Sequence, residues 1–147
     1  MNRQLITSVK ESFEARFGGD PLLIFSPGRI NLIGEHTDYN EGFVFPAAID
    51  KGIVLAIQKS EDTLSNAVAL DKDTLHTFGL EGLVPLVEGG WQNYVLGVVA
   101  ELQGLGFSIG NFNLVFSGDI PSGAGMSSSA ALENSVVYGL NELFGLG

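Results

Sequence analysis

The sequence predicts an α+β fold, and three observations carry that prediction. Residues 2–17, 91–105 and 127–144 have apolar positions at helical spacing. Between them lie short runs rich in Val, Ile and Phe, which is strand chemistry. The two kinds of segment do not alternate strictly, as a doubly wound sheet would require. With 147 residues, 45% of them hydrophobic, the chain is the size of one ordinary domain and has enough apolar surface for a core. No internal repeat, low-complexity tract or linker interrupts it, so one domain over residues 1–147 is expected.

The elements follow in order. Leu5, Ile6, Val9, Phe13 and Phe17 share one face of a first helix, which Gly18-Gly19 ends. Leu22 to Phe25 predicts a short strand. Pro27-Gly28 breaks regularity, and a polar segment runs on to Asn40. Gly42 to Ala48 and Gly52 to Gln58 predict two further strands. Residues 66–70 and 74–78 suit a hairpin turning at Asp71, Lys72 and Asp73, with His76 on its surface. Residues 79–90 are Gly-rich and irregular. Trp91, Tyr94, Val95, Val98, Val99 and Leu102 share a face of the second helix. Phe112, Leu114 and Phe116 alternate along a strand. A Gly-rich loop over 118–125 then leads into the third helix.

Charge and composition narrow the function. The formal net charge is −10, from 7 Lys plus Arg against 17 Asp plus Glu. A general binder of phosphate backbones needs a basic face, as does a protein docking on anionic lipid, so both classes are argued against. The chain has no cysteine, which excludes a disulfide scaffold and a thiolate metal site and fits a reducing cytoplasm. The first residues lack the apolar stretch of a signal peptide, and no run approaches a membrane span. A small neutral ligand, or an anion held by local backbone dipoles, remains compatible.

One segment has the chemistry to hold such an anion. Ser117-Gly118-Asp119-Ile120-Pro121-Ser122-Gly123-Ala124-Gly125-Met126-Ser127-Ser128-Ser129-Ala130 joins a predicted strand to a predicted helix. Gly123 and Gly125 let the backbone approach a ligand. Ser127, Ser128 and Ser129 put hydroxyls and unpaired first-turn N–H groups at a helix start, where the dipole adds partial positive charge. The spacing is neither a Walker A loop nor a Rossmann fingerprint. A glycine-rich turn with serine caps and no ligand is the plainer account, but three consecutive serines exceed what capping requires. Glu133, one turn on, suits the N-terminal dipole.

A second segment gathers polar side chains: Gly28-Arg29-Ile30-Asn31-Leu32-Ile33-Gly34-Glu35-His36-Thr37-Asp38-Tyr39-Asn40. Carboxylates accept hydrogen bonds from hydroxyls, and an arginine can neutralise a transferring phosphoryl group. By composition alone, a solvated loop with caps at Asn31 or Thr37 explains these residues better.

Residues 121–130 resemble the ATP-binding motif of the GHMP kinases, with Met126 where the family usually has Leu. Residues 28–40 resemble the galactokinase signature throughout, Gly42 to Asp50 also follow the family pattern, and Trp91-Gln92-Asn93-Tyr94-Val95 is similar to a further family segment. The resemblance implies a ribosomal-protein-S5-domain-2-like α+β fold and an enzyme that phosphorylates D-galactose at its 1-hydroxyl with ATP and Mg²⁺. By position it implies that Arg29 lies beside the transferring phosphate. Glu35 and His36 would contact the 6-hydroxyl end of the sugar, and Asp38 the 3- and 4-hydroxyls. Gly123, Ala124, Gly125, Met126, Ser127, Ser128 and Ser129 would wrap the triphosphate, with a hydroxyl of Ser128 or Ser129 helping to hold Mg²⁺. Trp91 would lie near the adenine; a core tryptophan on an amphipathic helix is an equal and compatible reading.

Family members are about two to three times as long as this chain. The catalytic aspartate, a second acidic Mg²⁺ ligand and the C-terminal domain implied by the resemblance fall beyond Gly147. The chain alone is therefore expected to be inactive and to self-associate, the complete enzyme to be a cytoplasmic monomer. Two related readings stay open: a kinase for N-acetylgalactosamine or arabinose, and a non-catalytic sensor of galactose and ATP.

Overall fold

The computed structural model describes residues 2–31, 46–121 and 128–147. The first apolar period becomes α1 (Arg3–Phe17), started by Asn2, whose side-chain oxygen accepts from the Leu5 N–H at 3.2 Å. It buries Val9 and Phe13 and leaves the chain free to turn at Gly18.

Five strands form one sheet among the described residues: β1 (Leu22–Asn31), β2 (Pro46–Lys59), β3 (Ser65–Ala69), β4 (Thr74–Phe78) and β5 (Phe112–Gly118). Their spatial order is β1-β2-β5-β3-β4. The pairs β1/β2, β2/β5 and β3/β4 are antiparallel, and β3/β5 is parallel. The helices α2 (Trp91–Gly104) and α3 (Ser128–Phe144) complete the fold.

Period-two alternation divides the strands between two cores. Ile53, Leu55 and Ile57 of β2, with Phe112, Leu114 and Phe116 of β5, face the cluster that α2 and α3 cover. Val54, Ala56, Val68 and Val115 face the opposite way, against Val9 and Phe13 of α1. The central strands are thus buried on both faces, which is why their sequences read as near-continuous apolar runs. Gly139 lets α3 sit close: a Cβ there would meet Ile24 Cδ1 and Ile57 Cγ2, each at 3.1 Å.

Four expectations change. β1 does not stop at Phe25 but continues through Pro27-Gly28, with its register to β2 shifting between Pro27 and Arg29. Proline is tolerated because β1 is an edge strand and the irregularity falls at that point. The two predicted strands over 42–48 and 52–58 are one long β2 from Pro46, residues 42–45 lying outside the described set. On α2, Leu96 is buried whereas Tyr94 is 42% exposed. His76 is only half-exposed, stacking on Phe78 at 5.6 Å.

Candidate functional site

Topology sends the strands that precede the two chemistry-bearing segments out of the sheet at one end. β1 and β5 both run antiparallel to β2, so they run parallel to each other, and β3 runs parallel to β5. The carboxyl ends of β1, β3 and β5 therefore emerge at one end of the sheet. A single rung, Ser26–Ile53–Gly118, marks where this happens. Beyond it β1 leads into residues 28–40, β5 into residues 118–130, and β3 into a 3-10 turn at Leu70–Lys72.

A cavity of about 380 Å³ opens at that end. Trp91, Phe116, Ile53 and Leu132 supply apolar walls, while Ser128, Ser129, Asp71 and Lys72 supply polar ones. Gly90 and Trp91 begin α2 and Ser128 and Ser129 begin α3, so two helix N-termini border the same space. First-turn N–H groups and helix dipoles, with the Lys72 ammonium, are features that suit an anion within a strongly acidic chain. A flat apolar wall beside an anion-holding wall suits a molecule with an aromatic base and a phosphate tail.

Trp91 is a core tryptophan that also borders the cavity. It is buried, donates its indole N–H to Thr74 Oγ1 at 3.0 Å, and meets the Phe116 ring edge-on at 5.3 Å, while also lining the cavity. Asn93, in the same segment, is a brace. Its side chain accepts from the Leu86 N–H at 2.7 Å and donates to the Leu86 carbonyl at 3.1 Å, tying residues 79–90 to α2.

Arg29 stands exposed on β1 just past the bulge, paired in register with Ala48, at the same end of the sheet as the cavity. Ser128 and Ser129 stand in the first turn of α3 and line the cavity. Glu35, His36, Asp38, Gly123, Ala124, Gly125, Met126 and Ser127 lie outside the described residues. Among the described residues no group of three or more His, Asp or Glu side chains clusters as a metal site, and no helix is long and apolar enough to cross a membrane. Sequence reasoning took Asp71 and Lys72 only as a hairpin turn and did not single out Ile120. All three line the cavity: parallel pairing of β3 with β5 carries the turn there, and Ile120 follows the end of β5.

Comparison with known proteins agrees with this geometry. Residues 11–59 match the family model for the galactokinase galactose-binding signature, and residues 93–147 that for the GHMP kinases N terminal domain. A galactokinase of Clostridium perfringens is 43% identical over 145 residues, 96% of this chain and 38% of the relative. One of Roseiflexus is 40% identical over 131 residues, 88% of this chain and 33% of the relative. The crystal structure of Lactococcus lactis galactokinase complexed with galactose superposes with a TM-score of 0.87 at 40% identity, covering 96% of this chain and 38% of that one. Methanococcus jannaschii mevalonate kinase, at 20% identity and a TM-score of 0.73 over 84% of this chain and 40% of its own, shares the fold. The chain thus spans well under half the length of the relatives it matches.

Proposed function

Because the chain belongs to the galactokinase family of GHMP kinases, we propose that it carries the sugar-reading and phosphate-holding parts of an enzyme that transfers the γ-phosphoryl group of ATP to the 1-hydroxyl of D-galactose. The observation that carries this is the shared exit of β1 and β5 at one end of the sheet. It brings Arg29, near the start of one segment, to the same end of the sheet as Gly118, Ser128 and Ser129, which flank the other.

In this reading Glu35, His36 and Asp38 recognise the sugar hydroxyls. Gly123, Ala124, Gly125, Met126 and Ser127, continuing into Ser128 and Ser129, hold the triphosphate, and Trp91 forms a wall for the base. Phosphoryl transfer needs positioning and charge stabilisation more than covalent help from the protein. The start of α3 supplies N–H donors, and Arg29 supplies charge beside the transferring group. The Ser128 and Ser129 hydroxyls are hard oxygen donors with the Asp71 carboxylate on the same cavity, a donor set that fits Mg²⁺. The ion would neutralise charge on the phosphates. The protein acts in the cytoplasm.

Titration calorimetry on the 147-residue chain tests the proposal. Galactose and Mg²⁺-ATP should each bind, independently of one another. A chain that binds neither, or binds a nucleotide but no hexose, would sink the sugar-kinase reading.

A further inference from the structure

Asp119 stands where β5 leaves the sheet while β2 runs on alone beside β1. Its backbone N–H donates to the Gly52 carbonyl at 3.1 Å, and its Oδ1 accepts from the Gly52 N–H at 2.8 Å. One residue therefore meets both polar groups of Gly52. The side chain takes the place of the next carbonyl in the ladder, so β5 can turn away without leaving the Gly52 donor unpaired.

The neighbourhood allows little slack. A Cβ at Gly52 would run into the Ser26 carbonyl and Pro27 Cα, and one at Gly118 would lie 2.6 Å from Ile53 Cδ1. Three strands are drawn tightly together at this rung: backbone atoms leave room for glycine alone at Gly52, while a side chain at Gly118 would have to displace the end of Ile53. The residues beside the clasp line the cavity: Gly118 at the end of β5, Ile120 just past it, and Ile53 on β2. Gly52 also pairs with Pro27, at the bulge that precedes Arg29.

We propose that Asp119 is a positioning residue: its pair of hydrogen bonds with Gly52 fixes the floor of the nucleotide cavity and ties that floor to the strand bearing Arg29. This rests on the cavity's being the ATP site. Asp119 itself does not line the cavity. It acts through the backbone of Gly52 and through its neighbours.

Trp91 is the single tryptophan and lines the cavity, so its fluorescence reports ligand. ATP with Mg²⁺ is titrated into the wild-type chain, Asp119→Ala and Asp119→Asn, well below their melting temperatures. Loss of a hydrogen bond from a charged acceptor predicts about tenfold weaker ATP binding for the alanine variant. Asparagine keeps an acceptor oxygen and should recover most of that loss. A merely structural role would lower the melting temperature and leave low-temperature affinity unchanged, and that result, or an asparagine variant as weak as alanine, overturns the proposal. If the alanine variant does not fold, amide exchange on the wild-type chain decides. Saturating ATP should slow exchange at Gly52 and Asp119, and no change there counts against the coupling. A wild-type chain that binds no ATP overturns both the site assignment and this inference, whereas normal ATP binding unaltered by Asp119→Ala overturns this inference alone.

Discussion

Trp91 is held from two directions, by its N–H on Thr74 Oγ1 and by the edge of the Phe116 ring. Trp91→Phe keeps an aromatic wall but leaves Thr74 without that donor, and should cost about 1 kcal/mol in urea denaturation. Nucleotide affinity should fall only modestly, whereas Trp91→Ala should lose about 3–5 kcal/mol of stability. On the sugar side, Asp38→Ala removes a carboxylate proposed to accept from two hydroxyls. At about 1.5–3 kcal/mol for each charge-assisted bond, galactose binding should become undetectable by calorimetry while ATP still binds; equal loss of both ligands would refute the assignment. At this scale the sequence was legible where the chemistry is local. Ser128 and Ser129 announce themselves as a serine run before an apolar helix, and both line the cavity. Asp71 and Lys72 were not legible, since their place in the cavity depends on a partner strand more than forty residues away.

Among elements, α3 depends most on one small residue. Gly139 faces Ile24, Ile57 and Leu55 at distances that already leave no room for a methyl group without adjustment. Gly139→Val should push the helix from the sheet and cost about 1–3 kcal/mol by overpacking, read as a lower denaturation midpoint. A neutral result would mean that the helix rides higher than the structure has it. The three helices were legible almost to their ends because 3.6-residue periodicity is a local property: α1, α2 and α3 begin within one residue of where the pattern puts them. The long β1/β2 ribbon was not. Pro27-Gly28 carries the local chemistry of a break, yet edge position and a register shift let the strand pass through it. The Asp119–Gly52 clasp escaped for the same reason, since it joins residues 67 apart in sequence.

For the whole molecule, the balance between buried and exposed apolar surface decides behaviour in solution. The end of α3 is covered: Leu140 is fully buried, and Leu143 and Phe144 pack against the core. The exposure lies elsewhere. Val137 and Tyr138 of α3 are 40% and 56% exposed, Phe107 lies nearby, and Tyr94 stands out on α2. Two concavities of about 490 and 550 Å³, both reaching Asn134 and Val137, open along this outer face. Apolar surface of this kind is characteristically covered by a partner. The isolated 147-residue chain should therefore self-associate, giving a light-scattering mass above that of a monomer. Val137→Lys combined with Tyr138→Lys places charge on the face without touching the residues that line the nucleotide cavity, so it should lower the mass towards the monomer while ATP affinity stays within about twofold, surface substitutions being nearly neutral. The same chain should not turn over galactose and ATP at an appreciable rate in a coupled assay. It carries the proposed phosphate-holding residues and Arg29, but the resemblance puts the catalytic aspartate on a later segment, and phosphoryl transfer depends on full positioning and exclusion of water. Rapid formation of galactose 1-phosphate by a monodisperse wild-type monomer would contradict both halves of this argument, and would mean that residues 1–147 hold a complete active site.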